Sequence, residues 1–366
     1  MKLRVLVVDD TSLFRRVISD ALALLPDVEV VGTAPNGKIA LERIATLSPD
    51  LITLDIEMPE MDGLEVLNAL KSRGIECGVV VVSALTLKGG DLTIRALERG
   101  AFDFITKPSG GDPQSNLIAI SKHLAPIVSA YRRRWEIRSI LKQTSTTVAP
   151  AARSATVPSP QPTRTERPPI LKKADLVLIG VSTGGPNALA KMLPALPLNF
   201  PVPILIVQHM PPLFTKSMAA SLSEKCKMAV KEAEDREIIR PATVYIAPGG
   251  RHMKIVPGSK GEISLSITDD PLENNCRPSV DYLFRSVANT FNGNTTAVIM
   301  TGMGSDGVLG LRLLKRKNCH IIAQDEASCV VFGMPGEAVK AGVVDVITPL
   351  DHIAEEISRS VKSAIL

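Results

Sequence analysis

The sequence predicts an α/β protein with two doubly wound domains joined by a connector. Residues 1–125 alternate short apolar runs with stretches of helical spacing. The same alternation resumes at residue 172, after a segment rich in Pro, Ser, Thr and Ala. Strands that alternate with helices favour parallel sheets with right-handed crossovers. We therefore expect domains at residues 1–125 and 172–366, with the connector at residues 126–171.

The first domain is predicted to contain five strands. Each is a short, mainly apolar run, which is typical of strands in a parallel sheet. The runs are Leu3–Val8, Val28–Gly32, Asp50–Leu54, Gly78–Val82 and Ala101–Ile105. Between the first two, apolar residues recur at the spacing of one helix face, and they are Leu13, Val17, Ala21 and Leu24. This order predicts a doubly wound sheet.

The connector changes character along its length. Ser121–Lys142 keeps helical spacing but becomes strongly charged. Gln143–Ile170 buries too little apolar surface to offset chain entropy, so we expect a flexible linker there. Residues 131–173 hold ten Lys or Arg against two acidic residues, in a chain of formal net charge +4. Because the basic charge lies in the connector, nucleic-acid binding is not predicted.

The second domain is predicted to hold a mainly parallel sheet and a β-hairpin. Its strands are Asp175–Gly180, Pro203–Gln208, Thr243–Ala247, Thr296–Thr301, Cys319–Ala323 and Val343–Ile347. Its helices are Pro186–Leu196, Phe214–Cys226, Ser279–Asn289, Gly307–Lys317 and Gly336–Ala341. A Pro-Gly turn separates the hairpin strands Arg251–Val256 and Glu262–Thr268.

The composition is that of a globular protein with enough apolar residues for two cores, at 45% hydrophobic and 22% charged. No apolar run approaches the roughly 18–20 residues that span a bilayer, and no signal peptide is recognised at the start. We expect a cytoplasmic protein that is not inserted in a membrane. The five cysteines are widely spaced without a CxxC pair, which argues against a disulfide framework or a zinc site.

Five chemically reactive residues follow strands of the first domain. Asp9 and Asp10 end the first strand, Asp55 follows the third, Ser83 the fourth and Lys107 the fifth. The carboxyl ends of parallel strands meet at one edge of a sheet, so these side chains should cluster. Clustered carboxylates suit Mg²⁺, which would also neutralise a phosphoryl group on Asp55. The sequence thus predicts a phosphorylation site at Asp55.

In the second domain, Gly180–Pro186 forms a glycine-rich turn between a strand and a helix. Three chemistries fit it: a phosphate cradle, helix capping by Ser182, or the GxSxG turn that presents a serine nucleophile. The phosphate option lacks both the dinucleotide pattern and the GK[ST] signature. From this segment alone, capping and nucleophile remain open.

A serine nucleophile needs a base and an orienting carboxylate. His209 ends the next predicted strand, and Asp306 follows a later one in a glycine-rich loop. Asp325 also ends a strand and could rival Asp306. His252 begins the hairpin and is a candidate to contact substrate. The order serine, histidine, acid differs from the order of α/β-hydrolases, which argues against that fold.

The first domain resembles the receiver domain of two-component response regulators. The matching segments are Val7–Asp10, Thr53–Gly63 and Thr106–Pro108. The resemblance implies a flavodoxin-like fold, Asp55 as phosphoacceptor and a chemotaxis histidine kinase as phosphodonor. It implies metal ligands from Asp10, Asp55 and the Glu57 carbonyl, assisted by Asp9. Ser83, Phe104 and Lys107 would bind the phosphoryl group or move upon phosphorylation.

The second domain resembles the catalytic domain of the CheB family of chemotaxis protein-glutamate methylesterases. The matching segments are Gly180–Pro186, Gln208–Pro211, Ile246–Gly249, His252–Met253, Pro278–Asp281, Thr301–Gly307, Ala323–Ser328 and Gly333–Pro335. Carried across, Ser182 is the nucleophile, His209 the general base and Asp306 its orienter. Backbone near Thr183 and Met303 would stabilise the oxyanion. Arg236 and Ala84 depart from the family pattern, which bears on loop shape.

The resemblance implies a phosphorylation-activated enzyme that hydrolyses γ-methyl esters of glutamate on methyl-accepting chemotaxis receptors. Deamidation of receptor glutamines is an expected second activity, and no cofactor is expected for the esterase step. A DNA-binding response regulator is the alternative from another class, but it would need a basic helix-turn-helix. A third possibility keeps the enzyme and assigns it to a non-flagellar receptor pathway.

Overall fold

The structure is a computed structural model. It describes residues 2–108, 110, 112–145, 173–258 and 262–362. In the helix that spans residues 113–145, the residues beyond Glu136 are described by their backbone alone. Of the predicted linker Gln143–Ile170, residues 143–145 belong to the helix that precedes it, and residues 146–170 lie outside the described residues. No described helix is long and apolar enough to cross a membrane.

The N-terminal domain is a five-stranded parallel sheet with strand order β2-β1-β3-β4-β5. Its strands are β1 Leu3–Val8, β2 Val28–Ala34, β3 Leu51–Asp55, β4 Gly78–Ser83 and β5 Asp103–Thr106. Its helices are α1 Ser12–Ala23, α2 Gly37–Leu47, α3 Gly63–Ser72, α4 Leu87–Glu98 and α5 Pro113–Ser145. The predicted flavodoxin-like fold is confirmed, and the charged segment continues the last helix to 33 residues.

The C-terminal domain is a seven-stranded parallel sheet with order β14-β13-β12-β6-β7-β9-β8, plus an antiparallel hairpin, β10-β11. The strands are β6 Leu176–Val181, β7 Ile204–Gln208, β8 Ala229–Glu232, β9 Thr243–Ile246, β10 His252–Pro257, β11 Ile263–Thr268, β12 Thr295–Ile299, β13 His320–Gln324 and β14 Val346–Thr348. The helices are α6 Gly185–Met192, α7 Phe214–Lys225, α8 Val280–Thr290, α9 Val308–Lys315, α10 Met334–Lys340 and α11 Leu350–Val361, and a short 3₁₀ turn, Leu193–Ala195, follows α6.

Two elements of this domain were not predicted. Strand β8 has only four residues and one buried apolar side chain, Val230, so its sequence carries little periodic signal. Helix α11 buries Ile353, Ile357 and Val361, a spacing of four residues that could have identified it. Both elements lie at or near the ends of the sheet and do not alter the predicted fold class.

The order of the second sheet creates a crevice at its centre. From β6 the chain runs outward to β7 and to the edge strand β8, fills the position between them with β9, and then continues on the other side of β6 through β12, β13 and β14. β6 pairs in parallel with β7 on one side and with β12 on the other. Ligands of open α/β sheets bind beyond the carboxyl ends of the strands at such a reversal. The loops after β6, β7 and β12 therefore lie at this crevice.

The two domains pack against each other through α4 of the first and α7 of the second. The rings of Phe104 and Phe214 are stacked, with centroids 4.9 Å apart and planes inclined by 13°. Glu98 accepts hydrogen bonds from Ser221, at 2.5 Å, and from Lys225. Buried apolar residues form one continuous cluster from the N-terminal core into the C-terminal core.

Candidate active site

Ser182 occupies a tight turn between β6 and α6. Its amide donates to the Thr301 carbonyl at 3.0 Å, and its carbonyl accepts from the Gly185 amide at 2.7 Å. Gln208, fully buried on the neighbouring strand, donates its side-chain amide to the same carbonyl at 3.0 Å. A Cβ on Gly185 would lie 2.0 Å from the Gln208 Oε1, so only glycine fits there. The turn is thereby held rigidly from both sides.

Ser182 does not cap the helix that follows it. The residue that precedes α6 is Gly184, with φ of 77°, and no side chain caps the helix. Among the hydrogen bonds of the described residues, none involves the Ser182 hydroxyl. The capping interpretation is therefore wrong. The hydroxyl is available for another partner.

His209 follows the strand beside β6. Val181 pairs with Gln208 in the sheet register, and the His209 amide donates to the Val181 carbonyl at 3.1 Å. The imidazole Nε2 lies 2.7 Å from Oδ2 of Asp306. Because an ionised carboxylate can only accept, Nε2 carries a proton, and in the neutral imidazole Nδ1 therefore holds the lone pair. The nitrogen that can act as a base is thus Nδ1.

Asp306 is bound at the N-terminus of α8, where backbone amides point at it. Its Oδ2 accepts from the Val280 amide at 2.7 Å, in addition to His209. Its Oδ1 accepts from three further donors, namely Asn274 Nδ2 at 2.7 Å, Ser279 Oγ at 2.9 Å and the Asp281 amide at 3.1 Å. Burial raises its pKa, but the His209 bond and charge and these donors prevail and lower the pKa to about 2. Asp306 is therefore ionised at any working pH.

The pKa of His209 is displaced in the opposite direction. Burial favours the neutral imidazole and lowers the pKa, but the hydrogen bonds that His209 makes with Asp306 and Cys276, and the charges of these two groups, raise it to about 9. The imidazole is only 13% exposed and Asp306 only 4%. A perturbed histidine–carboxylate pair in a sheet crevice is the arrangement expected of acid–base chemistry.

The backbone around Ser182 leaves donors free on two loops. No hydrogen bond among the described residues uses the amides of Thr183 or Met303. Gly302 lies so close that a Cβ there would be 2.8 Å from the Ser182 Cβ. Unpaired amides beside a serine hydroxyl can bind a negatively charged oxygen. Thr183 and Met303 were the residues predicted from the sequence to stabilise an oxyanion. Thr183 follows Ser182 in the chain, and Met303 follows Gly302, which lies against Ser182.

Two other residues weighed from the sequence lie elsewhere. Asp325 accepts from the amide and hydroxyl of Ser328, at 3.0 and 2.6 Å, and does not bond His209. His252 is fully buried, with Nε2 against the Pro271 carbonyl at 3.0 Å and its ring stacked on Tyr282. A fully buried ring cannot meet an incoming substrate. The expected substrate contact of His252 is corrected to a packing role.

Sequence reasoning missed several residues that position the pair. Asn274 bridges Asp306 and Asp281, with its Nδ2 2.7 Å and 2.8 Å from their carboxylates. Asp281 in turn accepts from the Gly310 amide at 2.7 Å, and burial raises the Asp281 pKa above these lowering effects. Cys276 places its sulfur 3.7 Å from Nδ1 of His209. Asn274 precedes α8 by several residues, and no local pattern marks it.

The N-terminal domain has its own cluster at the sheet edge. Carboxylate oxygens of Asp9, Asp10 and Asp55 lie within 4.8 Å of one another. Lys107 Nζ lies 2.6 Å from Asp55 and 2.8 Å from Asp9. Burial raises the pKa of Asp55 to about 6 despite Lys107, and the neighbouring Asp9 and Asp10 raise it further. Three carboxylates facing one lysine leave excess negative charge, which fits a hard divalent cation.

The remaining predicted residues of this domain surround that cluster. Ser83 is buried and donates its hydroxyl to the Gly89 carbonyl at 3.2 Å, on α4. The Glu57 carboxylate is paired with Lys88 at 2.5 Å, so only its backbone is left for the metal. Phe104 stacks on Phe214 of the other domain. The strand ends predicted to meet do meet.

Comparison with known proteins gives the same two parts. The family described as CheB methylesterase matches residues 177–357, and the response regulator receiver domain matches residues 5–119. A protein-glutamate methylesterase/protein-glutamine glutaminase of Desulfotalea psychrophila is 53% identical over 98% of this chain and 99% of its own length. One of Halalkalibacterium halodurans with the same name is 44% identical over 99% of both chains.

This chain belongs to the CheB methylesterase family. The crystal structure of the Thermotoga maritima CheB methylesterase catalytic domain matches with TM-score 0.50 and 42% identity, over 51% of this chain and 99% of that one. The family resemblance inferred from the motifs is therefore confirmed, as is an enzyme built from a receiver and a methylesterase domain. We refer below to the receiver domain and the catalytic domain.

Proposed function

We propose that this chain hydrolyses γ-methyl esters of glutamate on methyl-accepting chemotaxis receptors in the cytoplasm, with Ser182 as nucleophile. The observation that carries the proposal is the His209–Asp306 pair at 2.7 Å, beside an unbonded serine in the sheet crevice. The names of the relatives add a glutaminase activity, which passes through a similar tetrahedral intermediate. We extend both activities to this chain.

The chemistry follows from the protonation states of the pair. Asp306 holds the proton of His209 on Nε2, so the Nδ1 lone pair takes the proton of Ser182 as its oxygen attacks the ester carbonyl. The free amides of Thr183 and Met303 are suited to stabilise the oxyanion. His209 then returns the proton to the leaving methoxide, and methanol departs. Water, activated by the same nitrogen, releases glutamate and restores Ser182.

Methanol release from methylated receptor membranes tests the nucleophile. We expect Ser182→Ala to abolish release, because the acyl-enzyme can no longer form. Ser223→Ala, a change at an exposed serine of α7, serves as the matched control and should release methanol at the wild-type rate. Turnover by Ser182→Ala close to that of the control would refute the assignment.

We further propose that phosphorylation of Asp55 activates the esterase by loosening the receiver from the catalytic domain. Asp103, one residue before Phe104, lies close to Thr183, the neighbour of Ser182: burial raises the pKa of Asp103 to about 6, and the Thr183 side chain is one of the groups that lower it. Met303 packs against the receiver core as well. The receiver thus contacts both loops that would carry the oxyanion amides. Release of these contacts would open the crevice, a domain rearrangement of a known kind.

The receiver cluster would hold Mg²⁺ through Asp9, Asp10, Asp55 and the Glu57 carbonyl. When bound, the cation neutralises negative charge around the phosphoryl group. Lys107, already between Asp55 and Asp9, would pair with a phosphoryl oxygen, and Ser83 would turn from Gly89 toward it. A chemotaxis histidine kinase is the proposed phosphodonor, as implied by the receiver family.

A phosphodonor experiment tests the regulation separately from the chemistry. Asp55→Ala should keep the basal rate of methanol release and lose all stimulation by a small-molecule phosphodonor with Mg²⁺. Asp20→Ala, at an exposed residue of α1, should be stimulated like the wild type. Equal stimulation of Asp55→Ala and wild type would eliminate Asp55 as the activating site.

A further inference from the structure

Cys276 and His209 stand at the spacing of two ligands on one metal ion. The thiol sulfur lies 3.7 Å from Nδ1, the nitrogen left free by Asp306. In a tetrahedral zinc site, bonds of about 2.3 Å to sulfur and about 2.0–2.1 Å to nitrogen separate the two ligand atoms by about 3.6 Å. Sulfur, ring nitrogen and a carboxylate oxygen of Asp306 lie within 4.8 Å of one another.

The surroundings of this pair match those of metal-binding histidines. Such histidines donate their second ring N–H to a carboxylate, which fixes the ring and strengthens the free nitrogen as a ligand. The Nε2 bond to Asp306 at 2.7 Å supplies that arrangement. Both Cys276 and His209 are only partly buried, so an ion can reach them from solvent.

Cys276 is held in place independently of any ion. The backbones of Glu273 and Cys276 exchange two hydrogen bonds, at 2.9 and 3.1 Å, around Asn274 and Asn275. Both asparagines have positive φ, 53° and 59°, as a two-residue primed turn requires. Asn274 also bonds Asp306 at 2.7 Å, the residue that orients His209. Turn and imidazole are thus anchored on one carboxylate, and the ligand spacing is preformed.

We propose that Cys276 and His209 bind Zn²⁺ and that this ion inhibits the esterase. On binding, the thiol and the protonated imidazole each release a proton to solvent, the thiolate and the Nδ1 lone pair each donate an electron pair, and waters complete the coordination. The lone pair that would accept the proton of Ser182 is then occupied. No electron is transferred, and removal of the ion restores the base.

The choice of Zn²⁺ follows from the ligand types. Thiolate and imidazole select soft or borderline cations, whereas the receiver cluster offers oxygen ligands alone and suits Mg²⁺. Mg²⁺ in the phosphorylation buffer should therefore not compete at Cys276. With two protein ligands, the site should bind more weakly than a four-ligand structural zinc site, which keeps it reversible.

The experiment uses the full chain, freed of metal with a chelator and titrated with ZnCl₂ in the presence of Mg²⁺. Methanol release should fall with free Zn²⁺ and recover on addition of chelator. For the same fractional loss of its own zinc-free rate, Cys276→Ala should require about ten-fold or more higher Zn²⁺. Cys226→Ala, at another partly buried cysteine, which directly follows α7, should be inhibited like the wild type. Equal inhibition of wild type and Cys276→Ala would overturn the proposal.

A second measurement does not depend on activity. Co²⁺ in place of Zn²⁺ produces a near-ultraviolet charge-transfer band only where a thiolate is a ligand. Wild type and Cys226→Ala should develop the band, and Cys276→Ala should not. If the wild type lacks it, the site is refuted even when methanol release is normal. If the band appears but methanol release is absent, the metal site stands and the proposed esterase function fails.

Discussion

Removal of the negative charge of Asp306 should have the largest effect of any conservative change in the catalytic domain. Five hydrogen bonds converge on its two oxygens, two on Oδ2 and three on Oδ1. Asp306→Asn keeps the size but offers a single acceptor oxygen. In either orientation its NH₂ group faces donors, and each unsatisfied buried donor costs about 1–3 kcal/mol. Rotation of the amide therefore cannot restore an acceptor to every buried donor.

The catalytic consequence is a loss of both tautomer and basicity at His209. An amide NH₂ facing the ring favours the proton on Nδ1, the nitrogen that should accept it from Ser182. In a serine hydrolase, loss of the orienting carboxylate in this way lowers kcat by about 10⁴-fold. We expect a decrease of about 10³–10⁴-fold for Asp306→Asn.

The pH dependence of the rate tests the role of Asp306 independently, through the direction in which the pKa of His209 shifts. The pKa of His209 is raised from its ordinary value of 6.5 to about 9, so the imidazole is protonated, and inactive as a base, below that pH. The wild-type rate should therefore rise with pH, reach half of its limit near pH 9 and level off above it. In Asp306→Asn, burial still lowers the pKa of His209, but the carboxylate that raised this pKa is gone. The acidic limb of the pH–rate profile should therefore move to lower pH.

The assay is kcat/KM for methanol release between pH 6 and 10. Asp325→Asn is the matched control, because that carboxylate bonds Ser328 rather than His209. A rate for Asp306→Asn within about tenfold of wild type, or an acidic limb that does not move, would refute the reasoning. Loss of activity in Asp325→Asn of the same size would show that the effect is one of folding.

Three further predictions concern the receiver and the crevice. Phe104→Ala removes a stacked pair that contributes about 0.5–1.5 kcal/mol, so the unphosphorylated enzyme should release methanol about two- to tenfold faster; an unchanged basal rate would contradict this. Gly302→Ala forces a Cβ to 2.8 Å from that of Ser182, and both the melting temperature and kcat/KM should fall; wild-type values of both would contradict the contact. Asp10→Asn should require more Mg²⁺ for phosphorylation of Asp55, measured as incorporated phosphate; an unchanged Mg²⁺ dependence would remove Asp10 from the ligand set.

Local patterns were sufficient for the architecture. Alternating apolar runs and helical spacing predicted eleven of the twelve strands in the two parallel sheets, all except β8, because buried parallel strands are almost uninterrupted apolar sequence. The short edge strand Ala229–Glu232 was not predicted, because an edge strand buries few apolar side chains. The positions of Asp55, Ser182 and His209 followed from the same pattern, because each comes directly after a strand.

Contacts between distant residues could not be obtained in this way. The sequence left Ser182 open between capping and nucleophilic roles, and only the unbonded hydroxyl and the bare N-terminus of α6 excluded capping. His252 was expected at the substrate, yet packing against Tyr282 buries it completely. The widely spaced cysteines argued against a zinc site. The turn at Asn274 nevertheless brings Cys276 to His209, 67 residues away in the chain.

The sequence by itself determined the two-domain α/β architecture and the strand ends at which reactive side chains meet, because hydrophobic periodicity and strand direction are local properties. Only the tertiary structure decided which ring nitrogen of His209 is free, which carboxylate orients it and which receiver residue reaches the catalytic domain. These features depend on the angles and distances between side chains that are far apart in sequence, and a distance that differs by a few tenths of an ångström makes or breaks a hydrogen bond. Such geometry is set by close packing of the whole molecule, which no short stretch of sequence encodes.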